Sequence, residues 1–154
     1  MESVWDYPRP PAVETCQRSV RVTLAGQTLA ESEHALRVLE TSHPPTIYVP
    51  PRDVEMSWLR ESGNRPTLCE FKGRAQYLDA VIGERVVPAV AWTYRDPSFG
   101  YEPLRDHVAF YVDRVDTAWL GQEQVDAQQS GFYGGWVTAD LTGPFKGPPG
   151  TLGW

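Results

Sequence analysis

Two cysteines, Cys16 and Cys69, are all that this chain of 154 residues contains. They stand far apart, and neither belongs to a C-x-x-C pair, which excludes a disulfide framework and a zinc knuckle. Positive charge is also short: 14 Lys and Arg face 20 Asp and Glu, for a net charge of −6 and a pI near 5.0. No Lys/Arg cluster stands out, so no nucleic-acid partner is expected, because phosphate binding concentrates positive charge. No apolar run approaches the roughly 20 residues a membrane helix needs. The best, "VVPAVAW", is broken by proline. The opening "MESVWDYPRPPAVE" has an early acid and no apolar segment, so it does not read as a signal peptide. A reduced, cytoplasmic, metal-free protein without cofactor or membrane partner is the expectation.

What the chain does have points to strands. Its 13 glycines and 14 prolines disfavour long helices. Aromatics make up 12% of the residues, and large rings let few side chains build a core. "YPRPP" makes residues 1–15 an extended arm rather than a packed element. In "SVRVTLAGQTLAES", Val20, Val22 and Leu24 face one way and Ala25-Gly26 turns the chain, which predicts a hairpin. "ALRVLET" and "TIYVPP" read as short strands. "RDVEMSWLRES" offers the best helix, with Asp53 as its cap and Met56 and Leu59 on one face. "RAQYLDAV" and "RVVPAVAWTY" form two more strands joined through "IGE", and "HVAFYVDRV" with "TAWLGQEQVDAQ" a last strand pair. Residues 130–154 carry too much glycine and proline for regular structure, yet their Phe132, Tyr133, Trp136, Phe145 and Trp154 should lie against the body. The prediction is one all-β domain over residues 1–154, a sandwich or open barrel-like set of antiparallel sheets with one short helix.

Several residues could carry chemistry. A thiolate is a nucleophile, and Lys72 stands three positions after Cys69. In a continuous strand the two would point to opposite faces; a turn at "FKG" would let them meet. Against that stands the usual fate of a free cysteine, burial as a small hydrophobe. Lys72 can be a partly buried base or anion partner, or a solvated turn lysine. Trp92 and Tyr94 are two apart and share a sheet face. With Tyr48, Tyr77 and Tyr111 they line an apolar pocket bearing phenol hydroxyls, or pack as core. Arg37 and Arg52 could clamp an anionic group, with Glu40 and Asp53 beside them, or form surface ion pairs. His43 and His107 are the candidate imidazoles, each able to be merely structural.

"ALRVLETSHPPTIYVPPRDV", "CEFKGRAQY", "AWTYRDP", "DHVAFY" and "FYGGWVTADLTGPFKGPPGTLGW" together resemble the DUF427 family, in a long form with a "WDYPRPP" arm and an aromatic tail. The resemblance implies a compact β-tent (Mss4-like) fold, shared with methionine-sulfoxide reductase B and the ligand-binding domain of cereblon. Relatives of that fold hold zinc on two C-x-x-C knuckles, and this chain lacks all four cysteines. A nucleotidyltransferase label travels with the family, but no Gly-Ser followed by a spaced Asp pair is present. The resemblance also favours a functional Lys72, since it lies inside a quoted motif. Two functions follow as expectations. One is a protein that binds a small organic ligand, or a metal-free enzyme, with Lys72, Cys69 and Tyr48 at the reacting position and Arg37, Glu40, His43, Arg52, Tyr77, Trp92 and Tyr94 around the ligand. The other is a non-catalytic interaction domain whose arm and tail dock on another chain or on a second copy, as a homodimer through the aromatic tail.

Overall fold

Strand Gly73–Ile82 is the longest, and Arg85–Thr93 returns beside it as an antiparallel hairpin. This computed structural model describes residues 1–63 and 65–154. Around the hairpin a five-stranded antiparallel sheet is ordered Val108–Phe110, Arg85–Thr93, Gly73–Ile82 and Leu59–Glu61, with Thr67–Cys69 pairing the start of Gly73–Ile82. A four-stranded sheet runs Glu123–Gln124, Thr117–Leu120, Val20–Leu24 and Gln27–Ser32. A three-stranded sheet runs Ala12–Thr15, Leu36–Leu39 and Thr46–Tyr48. Val49 and Val108 exchange two backbone hydrogen bonds of 2.8 Å and so stitch the three-stranded sheet to the five-stranded one. The chain is all-β, and its only helical turns among the described residues are short 3-10 segments.

Side-chain alternation across the five-stranded sheet creates two cores. Leu78, Ala80, Ala91, Val108 and Phe110 face the main cluster with Val20, Val22 and Leu24. Ala75, Trp92, Tyr94, Ala109 and Tyr111 face a second, mostly aromatic cluster, to which the three-stranded sheet adds Val38 and Tyr48. Pro88 has no N–H to give the ladder, and the register shifts there between Val87 and Ala91. The Asp79 carboxylate accepts the Ala89 N–H at 2.7 Å, which holds the bulge.

The predicted Val20–Leu24 hairpin forms, with Ala25 and Gly26 both at positive φ as its tight turn requires. Three expectations are corrected. The "RDVEMSWLRES" helix is replaced by two 3-10 turns, Pro51–Asp53 and Met56–Trp58, and a strand. Its backbone groups are drawn to the neighbouring hairpin instead: Glu55 N–H bonds the Leu29 carbonyl, Val54 bridges Ala30, and the Asp53 carboxylate accepts the Ser32 hydroxyl at 2.6 Å. The arm packs rather than standing free. Val4 is fully buried, Glu2–Ser3 pairs in parallel with Leu141–Thr142, and Ala12–Thr15 pairs with Leu36–Leu39. Lastly, Val108–Phe110 and Thr117–Leu120 do not pair with each other; they join different sheets.

The tail lies on the body, although Phe132, expected to pack there, stays 52% exposed. Trp136 is 1% exposed and its indole N–H donates to the Phe110 carbonyl at 3.2 Å. No helix among the described residues is long and apolar enough to cross a membrane.

Candidate functional site

Period-two alternation brings one set of side chains to one hollow. Val38 and Glu40, Thr46 and Tyr48, Ala75 and Tyr77, and Trp92 and Tyr94 are each two apart, and all line a cavity of about 430 Å³. The tail closes a side of it through Phe132, Tyr133, Gly134, Lys146 and Trp154, and the arm adds Arg9. That volume lies within the range of small-molecule sites, roughly 300–1,000 Å³. Trp92 anchors the wall: its indole N–H donates to the Tyr48 hydroxyl at 3.2 Å, and its ring lies 4.6 Å from that of Tyr111, tilted by 50°.

A tight hairpin delivers the ammonium. Cys69 pairs with Gly73, leaving Glu70, Phe71 and Lys72 as the connection. The Lys72 N–H points at the Cys69 sulfur at 3.4 Å, so the two residues sit together as the turn allows. Gly73 holds φ at +113°, where a side chain is strained, and an added Cβ would lie 3.2 Å from the Ser98 hydroxyl. Ser98 N–H bonds the Lys72 carbonyl at 2.9 Å and fixes the far side of the turn.

The Lys72 side chain is only 11% exposed. Burial alone would lower its pKa; Tyr48, Cys69 and Glu40 outweigh that and hold it above the ordinary 10.5, so the amine stays an ammonium. It hydrogen-bonds the Cys69 thiol, and the Glu40 carboxylate is 4.0 Å away. Burial raises the Tyr48 phenol against the pull of Lys72, and burial first, then Tyr48 and Cys69, raises Tyr94 strongly, so both stay neutral donors. Glu40 is the acidic hub, facing Arg9 at 3.7 Å and His43 at 3.8 Å as well as Lys72.

His43 is fixed by a residue that the sequence did not single out. The Gln128 carbonyl accepts the Gly135 N–H at 3.0 Å, which turns the amide nitrogen toward His43 Nδ1 at 3.2 Å and the Lys146 carbonyl at 2.7 Å. With Nδ1 accepting, the proton rests on Nε2, the atom facing Glu40. Burial, reinforced by Lys146, Lys72 and Arg9, pushes His43 down to about 4, so it is neutral near pH 7.

Of the residues expected at the site, Lys72, Cys69, Tyr48, Glu40, His43, Tyr77, Trp92 and Tyr94 are brought together around the cavity. Arg37 and Arg52 are not. Arg37 lies between Leu36 and Val38 and points to the other face, where it pairs with Glu2 and Glu14. Arg52 is exposed on its 3-10 turn. Cations at the cavity come instead from Arg9 and Lys146, neither of which the sequence singled out. His107 lies outside the lining, its Nδ1 3.1 Å from the Arg105 carbonyl. Cys16 is buried in the main core. Among the described residues no three His, Cys, Asp or Glu side chains gather as a metal set.

Fold and site thus define a class: an all-β protein with a ring-walled cavity and a buried, charged lysine in its wall. The chain belongs to the family described as a domain of unknown function, DUF427, which matches residues 12–121. Arg9 and every tail residue of the cavity wall fall outside that span. No curated protein matches the chain.

Proposed function

We propose that this protein binds a small organic molecule in the cavity, with Lys72 as its anchor and Tyr48 and Cys69 beside it. The observation that carries the reading is an ammonium 11% exposed, facing a hollow of about 430 Å³ walled by aromatic rings. A lysine is seldom buried unless its charge has work to do. Because the amine holds its proton, its chemistry is electrostatic. It donates hydrogen bonds and stabilises negative charge on a bound group, and in an enzyme it would serve as an acid or oxyanion partner. The β-tent likeness belongs to the same proposal, since relatives of that fold hold small molecules in aromatic cages.

A thermal-shift screen of metabolites tests it. A ligand at about 100 times its Kd adds about 2.7 kcal/mol, a rise of several degrees in Tm. That rise should vanish in Lys72→Met, while the unliganded variant melts within a few degrees of the parent, because Glu40 keeps Arg9 and His43. A screen in which nothing moves the Tm, or a variant that melts far lower without ligand, removes the reading.

A second reading has its own observation. Phe132 is 52% exposed, Leu152 86% and Leu68 79%, all at the cavity rim. Two copies meeting through this tail surface would cover them, as in a homodimer. Sedimentation giving only a monomer mass removes that reading.

A further inference from the structure

The geometry points to a ligand class: a planar monoanion, an aromatic carboxylate, its carboxylate received by Lys72 with the Tyr48 and Tyr94 hydroxyls and its ring laid along Trp92. This rests on the cavity being a ligand site and adds what it takes.

Charge is the first support. The chain has two lysines, Lys72 and Lys146, each in an "FKG" and both in the lining of this one cavity. With Arg9 they make three cations against two acids, Glu40 and Glu70, while His43 is neutral. Both lysines of a protein whose net charge is −6 therefore stand at this one hollow, and a monoanion suits them. A nucleoside triphosphate, with several negative charges, does not, and the described helical turns of three residues offer no N-terminus to cradle phosphate.

The second support is a surplus of donors. Trp92 donates to Tyr48, and the Tyr48 and Tyr94 hydroxyls bond each other with Cys69 beside them, so this chain of donors ends on no carboxylate or carbonyl oxygen. Lys72 brings three N–H groups to one weak acceptor, the Cys69 sulfur, with the Glu40 carboxylate at 4.0 Å, beyond hydrogen-bond reach. Donors here exceed the acceptors within hydrogen-bond reach, and a carboxylate supplies two more oxygens. Shape is the third support. The Trp92 indole forms part of the cavity wall, with Gly134 packed against its Cη2–Cζ3 edge so closely that an added Cβ would come within 2.4 Å. A planar ring stacks on such a wall.

Isothermal calorimetry on the full chain with 2-naphthoate, its neutral isostere 2-naphthamide and ATP with magnesium tests this. A charge-assisted bond is about twice as strong as a neutral one, so the carboxylate should bind about tenfold tighter than the amide. Lys72→Met should erase that preference, and the carboxylate-to-amide comparison is read first on the unaltered protein. Equal binding of amide and carboxylate overturns the anion class while leaving the cavity a ligand site. ATP binding more tightly than naphthoate overturns it too. No binding of any probe, with a metabolite screen that is also blank, overturns both readings together.

Discussion

His43 and Lys72 sit within one small network, and burial pulls both toward neutrality; it prevails only at His43. Around Lys72 the phenol, thiol and carboxylate favour the charged form. Around His43 three cations oppose it. The consequence for His43 is a pH dependence of stability. Its unfolded imidazole titrates near 6.5 and its folded one near 4, so between those values the unfolded chain binds more protons. Stability is therefore fully present above pH 6.5 and falls as pH drops toward 4, by at most about 3 kcal/mol from this group. Urea unfolding across that window should show the loss, and His43→Gln should flatten it; an unchanged slope contradicts a buried neutral imidazole. Residue by residue, the site was legible where two residues share a strand face. Trp92 with Tyr94 could be paired from spacing alone; Arg37 was expected at the ligand although the same alternation puts it on the other face from Val38. Gln128, Arg9 and Lys146 were not legible, because their roles depend on long-range packing that no local period encodes.

Among the elements, the Thr67–Cys69 to Gly73–Ile82 hairpin carries the site. Its turn places Lys72 inward because Gly73 adopts a backbone angle other residues avoid, and a Cβ there would crowd Ser98 at 3.2 Å. Gly73→Ala should cost about 1–3 kcal/mol in urea unfolding. Gly131→Ala, where nothing lies within 4 Å and no positive φ is needed, should stay within about 0.5 kcal/mol. Equal effects at the two positions would mean that the turn is not strained. The hairpins announced themselves through turn residues and β-branched runs. The "RDVEMSWLRES" stretch misled because Asp53 and Met56 also fit a helix, whereas the open edge of Gln27–Ser32 competes for the same backbone groups and wins. Local propensity is a weak prior against such tertiary bonds.

For the whole molecule, the cavity is assembled from three stretches: the body strands, the arm and the tail. Arg9 donates to the Trp154 carbonyl at 2.9 Å and to the Thr41 carbonyl at 2.8 Å, and Trp5 packs edge-on against Trp154, so the arm straps the tail over the body. The density of rings told that the tail would pack; it did not tell where, since prolines and glycines leave its path to long-range contacts. The claim beneath all of this is that Lys72 is enclosed and held charged. Its raised pKa means that its contribution to stability is complete below 10.5 and is lost only as pH rises through the higher folded value. With two lysines in the chain, ¹³Cε labelling of lysine gives an NMR spectrum simple enough to follow each one. The Lys72 signal should keep its ammonium shift past pH 10.5, where an open amine is half deprotonated. A Lys72 signal that titrates at 10.5 would place the amine in bulk water, and one that titrates below it would mean that burial outweighs Tyr48, Cys69 and Glu40; either contradicts the account.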